Sequence, residues 1–201
     1  MRTTATVISY LLHPLLMAFY SIAMLFSMQT YLTTMLPGKY QAFLLGFIFL
    51  TTCALPALCI GFMLKYKIVS NMDITNYNER RIPYLITAMA YAFNYYLVQK
   101  FHLPTLIYYV LLGATLTILL AMCINIVWKI SAHSIGIGGL AGLLVGICLR
   151  MGLYMPMYIT IALLLCGIAA SARLVLQVHT PAQVYVGLLL GFGVQFFIIQ
   201  I

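Results

Sequence analysis

The chain has 201 residues, of which 65% are hydrophobic and only 6% are charged. Soluble domains carry about 25% charged residues, so this composition excludes a soluble globular protein and predicts an integral membrane protein. The net charge of +8 comes from ten Lys and Arg residues against two acids. Because these cations lie in short segments between apolar runs, we expect them to contact lipid headgroups rather than nucleic acid.

Seven apolar segments predict an all-α, polytopic transmembrane helical bundle that forms one domain over residues 1–201. A proline inside the first segment (Pro14) and one inside the second (Pro56) predict irregular helices there. The third and fourth segments form either two spans or a pair of shorter helices, so the predicted count is six or seven spans. The segments run approximately over residues 6–28, 40–64, 83–99, 105–127, 134–149, 157–172 and from 181 to the C-terminus.

Glycines recur at every fourth position in the fifth and seventh segments. They are Gly138, Gly142 and Gly146 in the fifth segment, and Gly187 and Gly191 in the seventh. Small residues at this spacing let helix backbones approach closely in a membrane. We therefore expect the two helices to pack together, which brings their N-terminal ends into contact.

Three polar loops fall on the same side of the membrane for either six or seven spans. These loops cover residues 65–81, 128–133 and 172–183. Together they carry a basic cluster with two imidazoles: Arg80, Arg81, Lys129, His133, Arg173 and His179.

His179 directly precedes the predicted start of the last helix. Thr180 is a suitable N-cap residue and Pro181 is suited to the first helical turn. Free backbone N–H groups and the helix dipole favour an anion at such an end. A cation and a nucleophilic imidazole at a membrane surface are typical of a site for a lipid-borne phosphate ester.

The three loops together resemble the type 2 phosphatidic acid phosphatase family, membrane enzymes that hydrolyse lipid phosphates and pyrophosphates. The family carries the motifs Lys-x6-Arg-Pro, Pro-Ser-Gly-His and Ser-Arg-x5-His-x3-Asp. In the same order, this chain has Arg-Arg-Ile-Pro at residues 80–83, Ile-Ser-Ala-His at residues 130–133 and Ser-Ala-Arg-x5-His-x3-Gln at residues 171–183. The order of the motifs and the Arg-x5-His spacing agree with the family.

The chain also departs from these motifs. No lysine lies seven residues before Arg80 or Arg81, because positions 73 and 74 hold Asp and Ile. Ala132 replaces the glycine of the second motif, and the serine of the third motif lies one place early. Gln183 stands where the family has the aspartate that orients and activates the nucleophilic histidine.

The resemblance implies two catalytic histidines. His179 would attack phosphorus and form a phosphohistidine, which divides one difficult displacement into two easier steps. His133 would protonate the leaving lipid oxygen and then help to activate water, as its intrinsic pKa near 6.5 allows. Gln183 would accept the imidazole N–H of His179 and fix its tautomer.

The resemblance also implies a phosphate-binding set. Arg173 and one of Arg80 or Arg81 would hold the non-bridging oxygens, because a guanidinium fork matches phosphate geometry. Ser131 and the backbone N–H groups after it would complete an anion nest.

The implied function is metal-independent hydrolysis of a lipid phosphate or a polyprenyl pyrophosphate by a multi-pass protein of the bacterial inner membrane. We expect no metal and no cofactor, because two acids in one loop are too few for a two-metal site. The expected partners are membrane lipids. The alternative is a catalytically weak or inactive family member that binds lipid phosphate. The side that the site faces stays open, because four of the seven Lys and Arg residues on its face belong to the site or adjoin it.

The amide of Gln183 cannot stabilise the imidazolium with a negative charge. We therefore expect either that Asp73 or Glu79 supplies a carboxylate, or that the enzyme is slow or inactive. His13 and His102 are interpreted as structural or interfacial histidines, so that only His133 and His179 are expected to share a face.

Overall fold

The computed structural model describes residues 2–28, 30, 34–69, 77–101 and 103–201, except for the side chains of residues 77 and 78. Within these ranges the chain forms α-helices and no β-strand. The helices are α1 (Arg2–Leu11), α2 (Met17–Ser27), α3 (Gly38–Ile48), α4 (Leu55–Lys65), α5 (Arg81–Lys100), α6 (Thr105–Asn125), α7 (Ala132–Met151), α8 (Pro156–Val175) and α9 (Pro181–Gln200). Since α1 continues into α2 and α3 into α4 through short turns, these helices form seven rods.

Six of the described rods are long and apolar enough to cross a membrane, which confirms the predicted all-α transmembrane bundle. These six are α1–α2, α3–α4, α6, α7, α8 and α9. The seventh rod, α5, is as long as α7 with 20 residues, but it is less apolar. The third and fourth apolar segments therefore form two separate helices of 20 and 21 residues, and only the second of them is long and apolar enough to span. The described residues thus agree with six spans, one of the two predicted counts.

Prolines interrupt both composite rods, as the sequence predicted. Pro14 has no N–H to donate, and a 3₁₀ turn over Pro14–Leu16 separates α1 from α2. The side chain of His13 caps this turn, because its Nδ1 accepts the backbone N–H of Leu15 at 3.3 Å. In the second rod, a π-helical turn over Phe49–Ala54 precedes Pro56, which is the second residue of α4.

The expected close contact between the fifth and seventh predicted helices is confirmed as the packing of α7 on α9. A Cβ atom at Gly191 would overlap the carbonyl oxygen of Ile135, and one at Gly142 would overlap the backbone of Phe192. Successive contacts along the two helices run in the same direction, so α7 and α9 are parallel. Their N-terminal ends meet, where the Ser131 N–H donates to the carbonyl oxygen of Gln183 at 3.4 Å.

α7 is the central helix of the bundle. Its side chains at Ile137, Leu143, Leu144 and Ile147 are fully buried. Helices α5 and α6 form an antiparallel pair beside it, because Nη1 of Arg80 at the start of α5 donates to the carbonyl oxygen of Ile130 beyond the end of α6 at 3.3 Å. The start of α7 is thus fixed in the middle of the molecule, where it carries His133.

We predict that Gly191→Ala destabilises the protein, whereas Gly193→Ala on the same helix does not. The added methyl group of Gly191→Ala meets backbone atoms of α7, while that of Gly193→Ala meets nothing within 4 Å. Overpacking of this kind costs about 1–3 kcal/mol. Thermal unfolding of the purified protein in detergent measures the difference. Equal unfolding temperatures for the two variants would contradict the close contact of α7 with α9.

Candidate active site

A cavity of about 350 Å³ opens between the first composite rod, α5, α6 and α7. One end of the cavity is polar and lies beside the loop that connects α8 to α9. The polar or charged side chains that line this end, which we call the mouth, include Ser9, His13, Arg80, His133, Arg173 and His179. The remainder of the lining is mainly apolar and extends between the helices.

The three loops that were expected to share a face meet at the mouth. Arg80 joins the loop before α5 to the loop before α7 through the carbonyl oxygen of Ile130. Lys129 joins the loop before α7 to the loop before α9, because its Nζ donates to the carbonyl oxygen of Val178 at 3.1 Å. Lys129 is therefore a cross-link between two loops of the site and not only an anchor at the membrane surface.

His179 is held by the first turn of α9. Its Nδ1 lies 3.1 Å from Oε1 of Gln183, and that same oxygen accepts the backbone N–H of Thr180 at 3.2 Å. Because an amide oxygen can only accept, Nδ1 of His179 carries the proton, and Nε2 of the neutral ring keeps its lone pair. The Thr180 hydroxyl accepts the Gln183 N–H in return, so Thr180 and Gln183 form a capping box.

His133 is held by the first helix. Its Nε2 donates to the carbonyl oxygen of Ser9 at 3.1 Å, which leaves Nδ1 as the ring nitrogen that can exchange a proton. The carbonyl of Ser9 is available because Pro14 ends the helical path of α1 and leaves its last carbonyl oxygens without helical donors. The hydroxyl of Ser9 binds Nη1 of Arg173 at 3.2 Å. Ser9 thus contacts two residues of the mouth, and no sequence pattern marked it.

The electrostatic environment of the mouth is positive. The pKa of His179 is lowered to about 4, mainly by burial and also by the charges of Arg80, Arg173 and Lys129, whereas the hydrogen bond to Gln183 opposes this shift. Burial also lowers the pKa of Lys129, with added repulsion from Arg80 and Arg173. These mutual repulsions show that several cations lie around His179, and His179 is neutral at pH 7.

The structure separates the two adjacent arginines. The side chain of Arg80 is only 8% exposed and lines the mouth, whereas Arg81 begins α5 with an exposed side chain outside the cavity. Arg173, near the end of α8, is 5% exposed and lines the mouth as well.

Ser131 does not line the cavity. Its side chain is fully buried and caps α7, where it accepts the backbone N–H of Ser134 at 3.4 Å and the Ser134 hydroxyl at 2.9 Å. Ser131 therefore helps to fix the helix that carries His133, and its hydroxyl does not face the mouth.

The expectation that only His133 and His179 share a face was wrong. His13 also lines the mouth, and its ring lies edge-on to that of His133 with 5.5 Å between the ring centres. The 3₁₀ turn that His13 caps, between α1 and α2, brings the His13 ring to the mouth. His102 lies outside the described residues.

No carboxylate is among the hydrogen-bond partners or charged neighbours of His179 in the part of the chain that the structure describes. Glu79 is half-buried in the turn before α5 and does not line the cavity. Asp73 lies outside the described residues. The partner of His179 that the structure does show is the amide of Gln183.

These features define a multi-pass helical membrane protein with a buried, positively charged cavity that contains a neutral imidazole. Such an arrangement can bind an anion and attack it with the free Nε2 of His179. Comparison of the chain with models of known protein families, with curated proteins and with solved structures finds no match.

We predict that two substitutions move the pKa of His179 in opposite directions. Gln183→Leu removes a hydrogen bond that favours the protonated ring, so the pKa falls below about 4. Lys129→Met removes a repelling charge, so the pKa rises toward 6.5. A titration of isotope-labelled histidines by NMR in detergent measures both values, with His179→Gln to assign the signal. An unperturbed pKa near 6.5 in the unsubstituted protein would contradict the positive, buried site.

Proposed function

We propose that this protein is a metal-independent phosphatase of the bacterial inner membrane, related to the type 2 phosphatidic acid phosphatases, that hydrolyses a lipid phosphate or polyprenyl pyrophosphate. The observation that carries the proposal is the state of His179. Its Nδ1–H is fixed by Gln183, and its Nε2 lone pair lies in a cavity lined by Arg80 and Arg173. This is the arrangement that a nitrogen nucleophile for phosphorus requires.

In the first step, Nε2 of His179 forms a bond to phosphorus while the bond from phosphorus to the lipid oxygen breaks. The substrate binds as the phosphate monoanion, and its acidic proton passes to Nδ1 of His133, since Nε2 stays bonded to Ser9. His133 then gives this proton from Nδ1 to the leaving oxygen. Arg80 and Arg173 bind the non-bridging oxygens and stabilise their negative charge. The products of this step are a lipid alcohol, or a lipid monophosphate from a pyrophosphate, and a phosphohistidine.

In the second step, Nδ1 of His133 removes a proton from water while the water oxygen forms a bond to phosphorus. The bond from phosphorus to Nε2 of His179 breaks, and inorganic phosphate leaves. Nδ1 of His179 keeps its proton and donates it in a hydrogen bond to Gln183 throughout, so the ring returns to the same tautomer for the next cycle.

A second candidate function is lipid phosphate binding without turnover. The observation that favours it is Gln183 itself, because an amide cannot stabilise the positive charge that His179 acquires on attack. In a Ser-His-Asp triad, the change from Asp to its amide lowers the rate by about 10⁴. The arginines and the fixed tautomer are retained here, so we expect slow turnover rather than none.

The test is phosphate release by the purified protein from phosphatidate, phosphatidylglycerol phosphate, lipid A phosphate and polyprenyl pyrophosphate, with and without a chelator. We expect release from at least one lipid, unchanged by the chelator and lost in His179→Ala.

Arg80→Ala should lower the rate by about 10²–10³-fold, while Arg81→Ala serves as its matched control and keeps the rate within a few-fold. Gln183→Asp should raise the rate, because a carboxylate stabilises the imidazolium.

Release that the chelator abolishes would contradict the metal-independent mechanism. Tight binding of these lipids with no release by the unsubstituted protein would favour the binding function instead. Equal losses in Arg80→Ala and Arg81→Ala would contradict the assignment of Arg80 to the phosphate.

A further inference from the structure

The cavity continues far below its mouth. On α6 it is lined from Ala121, near the mouth, to Val110. With a rise of 1.5 Å per residue, this is a depth of about 16 Å. On α5 the lining runs from Pro83 to Tyr91, which is about 12 Å in the same direction. Both helices therefore line the same slot, which runs along the bundle axis.

The walls of the slot are mainly apolar, although they include Ser21, Tyr91 and two threonines. The Thr87 hydroxyl donates to the carbonyl oxygen of Pro83 at 2.7 Å, and the Thr117 hydroxyl donates to that of Gly113 at 2.6 Å. Both hydroxyl protons are thus used within their own helices and are not available to a ligand. Small residues such as Ala18, Ala114 and Gly139 line much of the remainder and leave the space open.

A glutamine lies near the lower end of the slot. Gln195 lies about 21 Å along α9 from Pro181 and is only 4% exposed. Its Nε2 donates to the carbonyl oxygen of Tyr109 at 3.2 Å, which joins α9 to α6 across the slot. The amide fits there because Gly113 has no side chain, and a Cβ atom at Gly113 would overlap it.

The volume limits what the slot can hold. About 350 Å³ is at the small end of the range of about 300–1,000 Å³ for ligand cavities. The mouth takes part of that volume for the phosphate, and the remainder is spread over a depth of about 16 Å along α6. This shape fits one hydrocarbon chain that is continuous with a phosphate at the mouth.

We propose that the slot binds the single hydrocarbon chain of a one-chain lipid phosphate and that Gln195, supported by Gly113, sets the longest chain that fits. The proposal rests on the proposed function for the phosphate end of the ligand. A chain gains little by leaving one apolar environment, the bilayer, for another. The slot therefore selects by excluding chains that are too long and lipids that carry two chains.

The test is kcat/KM for a series of monoalkyl phosphates of increasing chain length, with a two-chain phosphatidate for comparison. Ala114→Leu fills the slot and should move the best chain to a shorter length, with at least about a tenfold loss for longer chains. Gln195→Ala removes the amide at the lower end of the slot and should move the best chain to a longer length. Leu120→Phe adds a similar volume on α6 at a side chain that is 43% exposed, so it is the matched control and should leave the profile unchanged.

Binding of non-hydrolysable alkylphosphonates to His179→Ala, measured by calorimetry, separates this proposal from the proposed function. If no substrate is hydrolysed, but binding depends on chain length and the best-binding chain is shorter in Ala114→Leu, the slot proposal is supported and the phosphatase function is contradicted. If substrates are hydrolysed with the same chain profile in every variant, or if the two-chain lipid is preferred, the slot proposal is overturned. Since Ala114→Leu and Gln195→Ala predict opposite shifts, misfolding of either variant leaves the other to decide.

Discussion

The close parallel contact between α7 and α9 is the constraint on which the site depends, because each helix presents a histidine at its N-terminal end. The contact requires glycines such as Gly142 and Gly191, where a side chain would overlap the opposite backbone. A hydrogen bond from Ser131 N–H to the carbonyl oxygen of Gln183 closes the junction at the ends of the helices. His133 and His179 are therefore brought to one cavity by backbone packing, without any direct bond between the two rings.

Interrupted helices supply the groups that orient both imidazoles. The start of α9 offers Gln183, whose amide oxygen caps the helix and at the same time holds Nδ1 of His179. The break after α1 offers the carbonyl of Ser9 to His133, because Pro14 restricts the preceding His13 to an extended backbone and so ends the helix there. Each ring thus has one nitrogen outside these hydrogen bonds, Nε2 in His179 and Nδ1 in His133. Unsatisfied backbone groups at helix ends, which are costly in a membrane, here become parts of the site.

Local and periodic features of the site could be predicted from the sequence, whereas contacts between distant segments could not. The glycine spacing predicted the contact of α7 with α9, and the pattern from Thr180 to Gln183 contained the capping box. The bond from His133 to Ser9 spans 124 residues and uses a backbone carbonyl, which has no sequence signature. Which of Arg80 and Arg81 faces the cavity depends on how the first turn is rotated about its axis, since neighbouring helical side chains point in different directions. Such orientation is set by tertiary packing.

The proposed attack of Nε2 of His179 on phosphorus would leave a phosphohistidine, and detection of this phosphoenzyme tests it. The protein would be mixed with its lipid phosphate substrate and quenched in alkali, where phosphohistidine survives, and the peptides would then be analysed by mass spectrometry. We expect a phosphate group on His179 during turnover that is labile to acid and is absent in His179→Gln. Turnover with an unmodified His179, or with the phosphate on another residue, would contradict it.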